Sequence, residues 1–265
     1  MFVPHKLRVA LGSLVICGIL GLIFVSVATP GSYRRTFAGK KQVLPNFGSA
    51  KQQSARPTPT ENIKNRFPKV DYDAPEPTDP VERTKRRNRG KHFDGLGGVS
   101  KEPTRYSAAL SSHWDLDLPA LPVAQSSVVV IAKTLTRGAF LSNDKSGIYA
   151  ELSVKVEEVL KTNDDSVTRG RLIDISRIGG VVRYRTGEES LFMIVGQNIP
   201  EAGKRYLFFL KAIEDTQVFQ IITGYELAPS GVNALDTPSQ FGQYNGVDEA
   251  TFLNNVRSAI IETKP

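Results

Sequence analysis

Val9 to Ala28 is a run of twenty residues without a charge, VALGSLVICGILGLIFVSVA, directly behind His5, Lys6 and Arg8. At a rise of about 1.5 Å per residue, a helix of that length crosses the hydrocarbon core of a bilayer. No other stretch constrains the chain as strongly, because it implies a membrane-inserted or exported protein. The run is longer than a secretory signal requires, which favours an uncleaved signal anchor. Ser26-Val27-Ala28 before Thr29 nevertheless offers a small-x-small cleavage site. Cys17, the single cysteine, reads as a small apolar residue within the span. Arg34, Arg35, Lys40 and Lys41 follow the span closely and weigh against Lys6 and Arg8 in setting orientation. The short basic start is the ordinary export layout, so the expectation is a single-pass protein of the cell membrane with an extracytoplasmic C-terminal body.

Charge divides the remainder. Residues 31–105 hold 17 Lys and Arg against 8 Asp and Glu, and residues 106–265 hold 15 against 19. The overall excess of +7 therefore belongs to the segment behind the span, and the body is acidic. Eight prolines within residues 31–105 (Pro45, Pro57, Pro59, Pro68, Pro75, Pro77, Pro80 and Pro103) and the lack of a sustained apolar period mark residues 29–105 as a disordered, semi-stiff basic linker. Its densest cluster is Arg83, Lys85, Arg86, Arg87, Arg89 and Lys91, six cations in nine residues. Such a block suits a polyanion. Outside the cytoplasm that means anionic lipid or cell-wall polymer.

From Val123 to about Leu235 the pattern is strand after strand. Ser127–Ala132 is a compact β-branched run of the kind covered on both faces. Ile148–Leu160 alternates, with Ile148, Ala150, Leu152, Val154 and Val156 on one face and Tyr149, Glu151, Ser153, Lys155 and Glu157 on the other. Ser142–Gly147 between them has turn chemistry. Arg171–Ile178 ends at Gly179-Gly180. Val181–Arg185 and Leu191–Val195 flank a hairpin turn, and Arg205–Leu210 is the most apolar strand of the body. Val218–Ile222 follows. A helix from Asp248 to Glu262 closes the chain, with Phe252, Val256, Ala259 and Ile260 on one face. The expected organisation is a basic tail over 1–8, a transmembrane helix over 9–28, the linker over 29–105, and a mainly β domain over 106–265. That domain is expected to be a small OB-like antiparallel barrel with a C-terminal α-helix, its core holding Phe208, Leu210, Val154 and Val156. A fragment starting near Ser107 should then fold alone, and the linker should pack against nothing.

Val128-Val129-Val130-Ile131-Ala132-Lys133, Val154–Lys161 and Gly203–Leu210 stand in an order that resembles the strands of netrin-like and metalloproteinase-inhibitor-like domains, over roughly residues 125–225. Bacterial proteins that pair one span with such a domain are similar too. The resemblance implies an OB-type fold. Those domains usually carry disulfides, and the inhibitors chelate a protease metal through an N-terminal cysteine; the body here has no cysteine. Inhibitory chemistry therefore does not transfer, and no functional residue is carried over.

Few residues suggest chemistry. His5, His92 and His113 are scattered, which gives no metal-ligand spacing. Asn143, Asp144, Ser146 and Glu151 lack the glycine-bearing spacing of a calcium loop. Asp164-Asp165 and Asp115-x-Asp117 read as soluble loops. Arg177, Arg183 and Arg185 surround the diglycine as a possible anion-binding cluster, with pairing to Glu151 or Glu157 as the alternative. The expectation is a non-enzymatic binding or scaffolding module without cofactor, its protein partner unspecified. The rivals are a carboxylate-dependent hydrolase and a cytoplasm-facing nucleic-acid binder that would use Lys85–Lys91 and exposed aromatics.

Overall fold

A computed structural model describes residues 64–103, 108–110, 114–115 and 117–263. The apolar run Val9–Ala28, its flanking cations, Cys17 and His113 lie outside the described residues. Among the described residues, no helix is long and apolar enough to cross a membrane.

The fold is mainly β with a C-terminal helix. In chain order the elements are β1 (Lys69–Asp71), α1 (Pro80–Lys91), β2 (Ala108–Leu110), β3 (Val128–Leu141), β4 (Ile148–Thr162), β5 (Leu172–Ile178), β6 (Gly180–Arg183), β7 (Glu189–Ile194), β8 (Arg205–Ala212), β9 (Val218–Ala228), β10 (Gly231–Ala234), a 3-10 turn (Phe241–Tyr244) and α2 (Glu249–Glu262). β3, β4, β5, β9 and β8 hydrogen-bond in a cycle, because β8 pairs with both β9 and β3. β10 continues from β9, and a second sheet runs β1-β6-β7-β2. The wholly antiparallel pairing expected from sequence is corrected: β5–β9, β1–β6 and β2–β7 are parallel. The β6–β7 hairpin and β8 intervene between β5 and β9, which gives the chain length to return in the same direction.

Alternation along the strands builds the core. Val128, Val130 and Ala132 from β3 meet Leu152, Val154 and Val156 from β4, Ile175 from β5, and Tyr206, Phe208 and Leu210 from β8. This is the core expected from parity. The opposite residues of β3 and β8, Val129, Ile131, Leu207 and Phe209, face Phe252, Leu253, Val256 and Ile260 of α2. Val128–Ala132 are accordingly buried on both faces. α2 is present as expected but starts at Glu249, because Asp248 serves as its cap by accepting from the Thr251 amide at 2.9 Å. At the end of β5, Gly179 adopts φ +127°, and a Cβ on Gly180 would stand 2.7 Å from Ile148 Cδ1. The diglycine is thus a strand end under close packing.

The disordered linker is corrected over its described part. Residues 64–103 fold onto the body. β1 pairs with β6, Phe67 enters the main core, and Phe93 is buried. The basic cluster is the helix α1, capped by Asp79, whose carboxylate accepts from the Val81 amide at 2.9 Å. Pro80 opens the helix and Glu82 sits in its first turn. Apolar residues in this segment are sparse, but Phe67 and Phe93 are buried against the body, so the entropy of ordering is partly offset by contacts that no local period announces.

Candidate anion-binding cleft

One side of α1, the segment from β1 to α1 and the β3–β4 turn enclose a cleft of about 130 Å³. Arg83, Arg86, Arg87 and Lys145 line it against a single acid, Glu76, with Phe140, Val70 and Pro77 as its apolar surface. The β3–β4 turn is held by its own side chains and by the segment after α1. Asp144 accepts from Ser142 Oγ at 2.7 Å, from the Ser146 amide at 2.9 Å and from the Gly95 amide at 2.8 Å. These bonds, led by that from the Ser146 amide, hold its carboxyl well below the usual carboxylate range. The turn places Lys145 in the left-handed region, φ 57°, where its ammonium donates to the Tyr72 carbonyl at 3.1 Å and lies 4.9 Å from the Tyr72 ring centre. Asn143 donates to the Arg87 carbonyl at 2.8 Å and the Asp144 amide to Asp94 at 3.0 Å, so the turn is tied to α1 and to the segment after it.

The cations of the cleft are only partly neutralised. Arg87 donates to both oxygens of Glu76 at 3.1 and 2.9 Å. Arg83 is spent mainly on the Pro77 and Thr78 carbonyls, at 3.0 and 3.2 Å. Arg86 stacks over Phe140, its guanidinium carbon 3.4 Å from the ring centre. A guanidinium stacked in this way keeps its N–H edge for an acceptor in the plane. The remaining members of the cluster diverge. Arg89 turns under the helix, Lys85 pairs with Glu82 at 2.9 Å, and Lys91 is exposed.

The anion cluster read around the diglycine does not form. Arg177 is 1% exposed and bidentate to Asp236, at 2.8 and 2.7 Å, with further bonds to the Asn198 and Ile222 carbonyls at 2.8 and 3.0 Å. Both terminal nitrogens of its guanidinium are taken up by the protein itself, and only Nε has no partner. Arg183 pairs outward with Asp71 at 2.6 Å and Arg185 with Asp73 at 2.8 Å. Pairing to Glu151 or Glu157 does not occur either. Glu157 holds Arg205 at 2.8 Å, and Glu151 holds Arg89 at 2.8 Å. The aromatics that a nucleic-acid reading wanted in the open lie under α1, Phe140 beneath Arg86 and Tyr149 stacked on Phe93 at 4.1 Å. Among the paired acids, Asp164 is turned to the Ser166 amide at 2.8 Å. No cluster of three or more His, Cys, Asp or Glu suited to a metal occurs among the described residues.

Sequence reading missed Asp236, Trp114 over Arg177, and the Arg89–Glu151–Asp174 group. No local pattern joins those positions. The helix that carries Arg86 and Arg89 did have a signal, Asp79-Pro80 followed by Glu82, which is a cap, an N1 proline and a first-turn acid. Comparison with known proteins returns no matching family model and no similar curated sequence.

Proposed function

We propose that the chain is a membrane-tethered, non-enzymatic binding module, and that its cleft between α1 and the β3–β4 turn takes a phosphate-bearing anion from the envelope side. The observation that carries this reading is the concave surface of four cations against one carboxylate, backed by Phe140. Arg86 and Lys145 are each laid over an aromatic ring, which fixes their positions without spending their charge on an acid. The body that presents them reads as an OB-like barrel of five strands, supported by the cycle of pairings through β3, β4, β5, β9 and β8. A likeness to netrin-like domains is compatible with that order of strands, and Val9–Ala28 supplies the single span. The anion's source is an acidic lipid headgroup or a soluble polymer of the envelope.

The test uses the full chain in phosphatidylcholine nanodiscs, titrated with linear polyphosphate, and separately in nanodiscs containing phosphatidylglycerol. Saturable binding of polyphosphate identifies a soluble source; slower release of the body from the phosphatidylglycerol surface identifies the lipid. With about 1 kcal/mol per cation near an anionic surface, the double variant Arg87→Ala, Lys145→Ala is expected to lose about thirtyfold in affinity. Lys211→Ala, an exposed cation outside the cleft, serves as control. Binding that is absent in both arms, or equal in the double variant and the control, would overturn the reading.

A further inference from the structure

Glu76 is the one acid among the residues that line the cleft, and it stands where an anion would bind. Its two oxygens accept from Arg87 Nη2 at 3.1 and 2.9 Å, and one of them lies 3.6 Å from Arg83 Nε. A carboxylate offers a guanidinium the same paired acceptors as two oxygens of a phosphate group. The chain therefore carries its own stand-in for the anion assigned to this cleft. Arg86 and Lys145 lie on rings instead, so the carboxylate screens Arg87 first and Arg83 second.

The backbone on both sides of this contact is held. Pro75 and Pro77 flank Glu76 and fix their own φ. The Ala74 amide donates to the Asp71 carbonyl at 3.0 Å, and Arg83 holds the Pro77 and Thr78 carbonyls at 3.0 and 3.2 Å. On the other side, the Arg87 carbonyl accepts from Asn143 Nδ2 at 2.8 Å. The pair therefore opens by rotation of its two side chains, with no movement of α1. Both are free to rotate into solvent, Arg87 being 61% and Glu76 59% exposed. An exposed pair binds weakly and exchanges readily. A carboxylate held eleven positions away nevertheless meets Arg87 at the high local concentration of a tethered group.

We propose that Glu76 is a built-in competitor of the cleft: its carboxylate occupies Arg87 until a phosphate-bearing anion displaces it, and it thereby sets the ligand concentration at which the cleft fills. Resting on the anion-binding reading, this adds the regulation of that same site. The exchange favours a ligand with several anionic groups, because such a ligand adds contacts to Arg86 and Lys145 beyond the one given up at Glu76.

The probes are those of the two arms above, linear polyphosphate and the phosphatidylglycerol surface, each with the full chain in nanodiscs. Glu76→Gln is expected to tighten binding about threefold, the scale of an exposed ion pair. Glu82→Gln removes an equal charge from an exposed acid that pairs with Lys85 at 2.9 Å outside the cleft, and should leave affinity unchanged. In an Arg87→Ala chain, Glu76→Gln should bring no gain, because the competitor acts through that guanidinium. A Glu76→Gln chain that binds like the native one, an equal gain from Glu82→Gln, or a gain that survives Arg87→Ala would each overturn the proposal while leaving the cleft as the anion site. Binding absent from every chain in both arms would overturn the anion-binding reading and the role of Glu76 with it.

Discussion

Arg177 and Arg183 look alike in sequence, yet they have opposite physical situations. Arg177 joins β5 to the Asn198 and Asp236 loops and to β9, and Asp236 also accepts from Thr223 Oγ1 at 2.8 Å and from the Asn198 amide at 3.1 Å. Both side chains of the pair are out of solvent, at 1% and 0% exposure. Removing one partner leaves a buried charge without compensation, which typically costs 3–5 kcal/mol. Arg177→Met is therefore expected to lower unfolding free energy by about 4 kcal/mol in urea titrations. Joint replacement, Arg177→Met with Asp236→Leu, should recover much of that loss, because the buried charge disappears with its partner. Arg183→Ala, at an exposed pair, should leave the urea midpoint in place. The sequence supplied the three arginines; burial, which depends on the whole fold, separated the strut from the surface cations.

Elements were legible where their stability has a local cause. The alternation in β4, the two-faced apolar run of β3, the β6–β7 hairpin and the C-terminal helix α2 stand as read. β3 runs on to Leu141, past Ala132, because β4 pairs with it through Ile148 although Lys133–Phe140 has little alternation of its own. α1 was hidden for the same reason in reverse: it lacks an apolar stripe, and its hold on the body is two arginines, the ring of Phe93 and the Asn143 amide on the Arg87 carbonyl. Those contacts change what the basic cluster should do under mutation. Arg86→Ala removes the guanidinium from Phe140 and is expected to cost about 1 kcal/mol, read from thermal or urea unfolding. Lys85→Ala, at an exposed i,i+3 pair, should cost nothing measurable. Equal effects of the two substitutions would mean that α1 does not depend on the Phe140 contact.

At the scale of the molecule, a set of surface carboxylates ties turns and caps to the frame. The Ser146 amide at Asp144, Ser166 at Asp164 and Thr251 at Asp248 each hold a carboxyl below its ordinary value. A folded pKa below the unfolded one, near 3.9 for Asp, means stability present above that value and lost as pH falls through the folded values. Glu151 has the opposite sign: burial raises its pKa against the pull of Arg89, so the folded chain takes up that proton more readily than the unfolded one. The urea midpoint should therefore hold from neutrality to about pH 4 and drop below it. Asp144→Asn should lower the neutral midpoint and flatten the acid limb. A midpoint independent of pH between about 4 and 2 would refute the assignment of stabilising roles to these carboxylates.

The sequence by itself determined what periodicity and local turn chemistry specify: strands that alternate, a terminal helix, and a core in which Phe208 and Leu210 meet Val154 and Val156. It also determined the charge of the cleft, since the cations of α1 are contiguous. Tertiary structure alone decided which cations face a cleft, which lie under a helix and which are buried struts. Glu151 and Asp174 meet Arg89 from 62 and 85 positions away. Contacts that distant are set by strand register and by the cycle of β3, β4, β5, β9 and β8, and no local period records them.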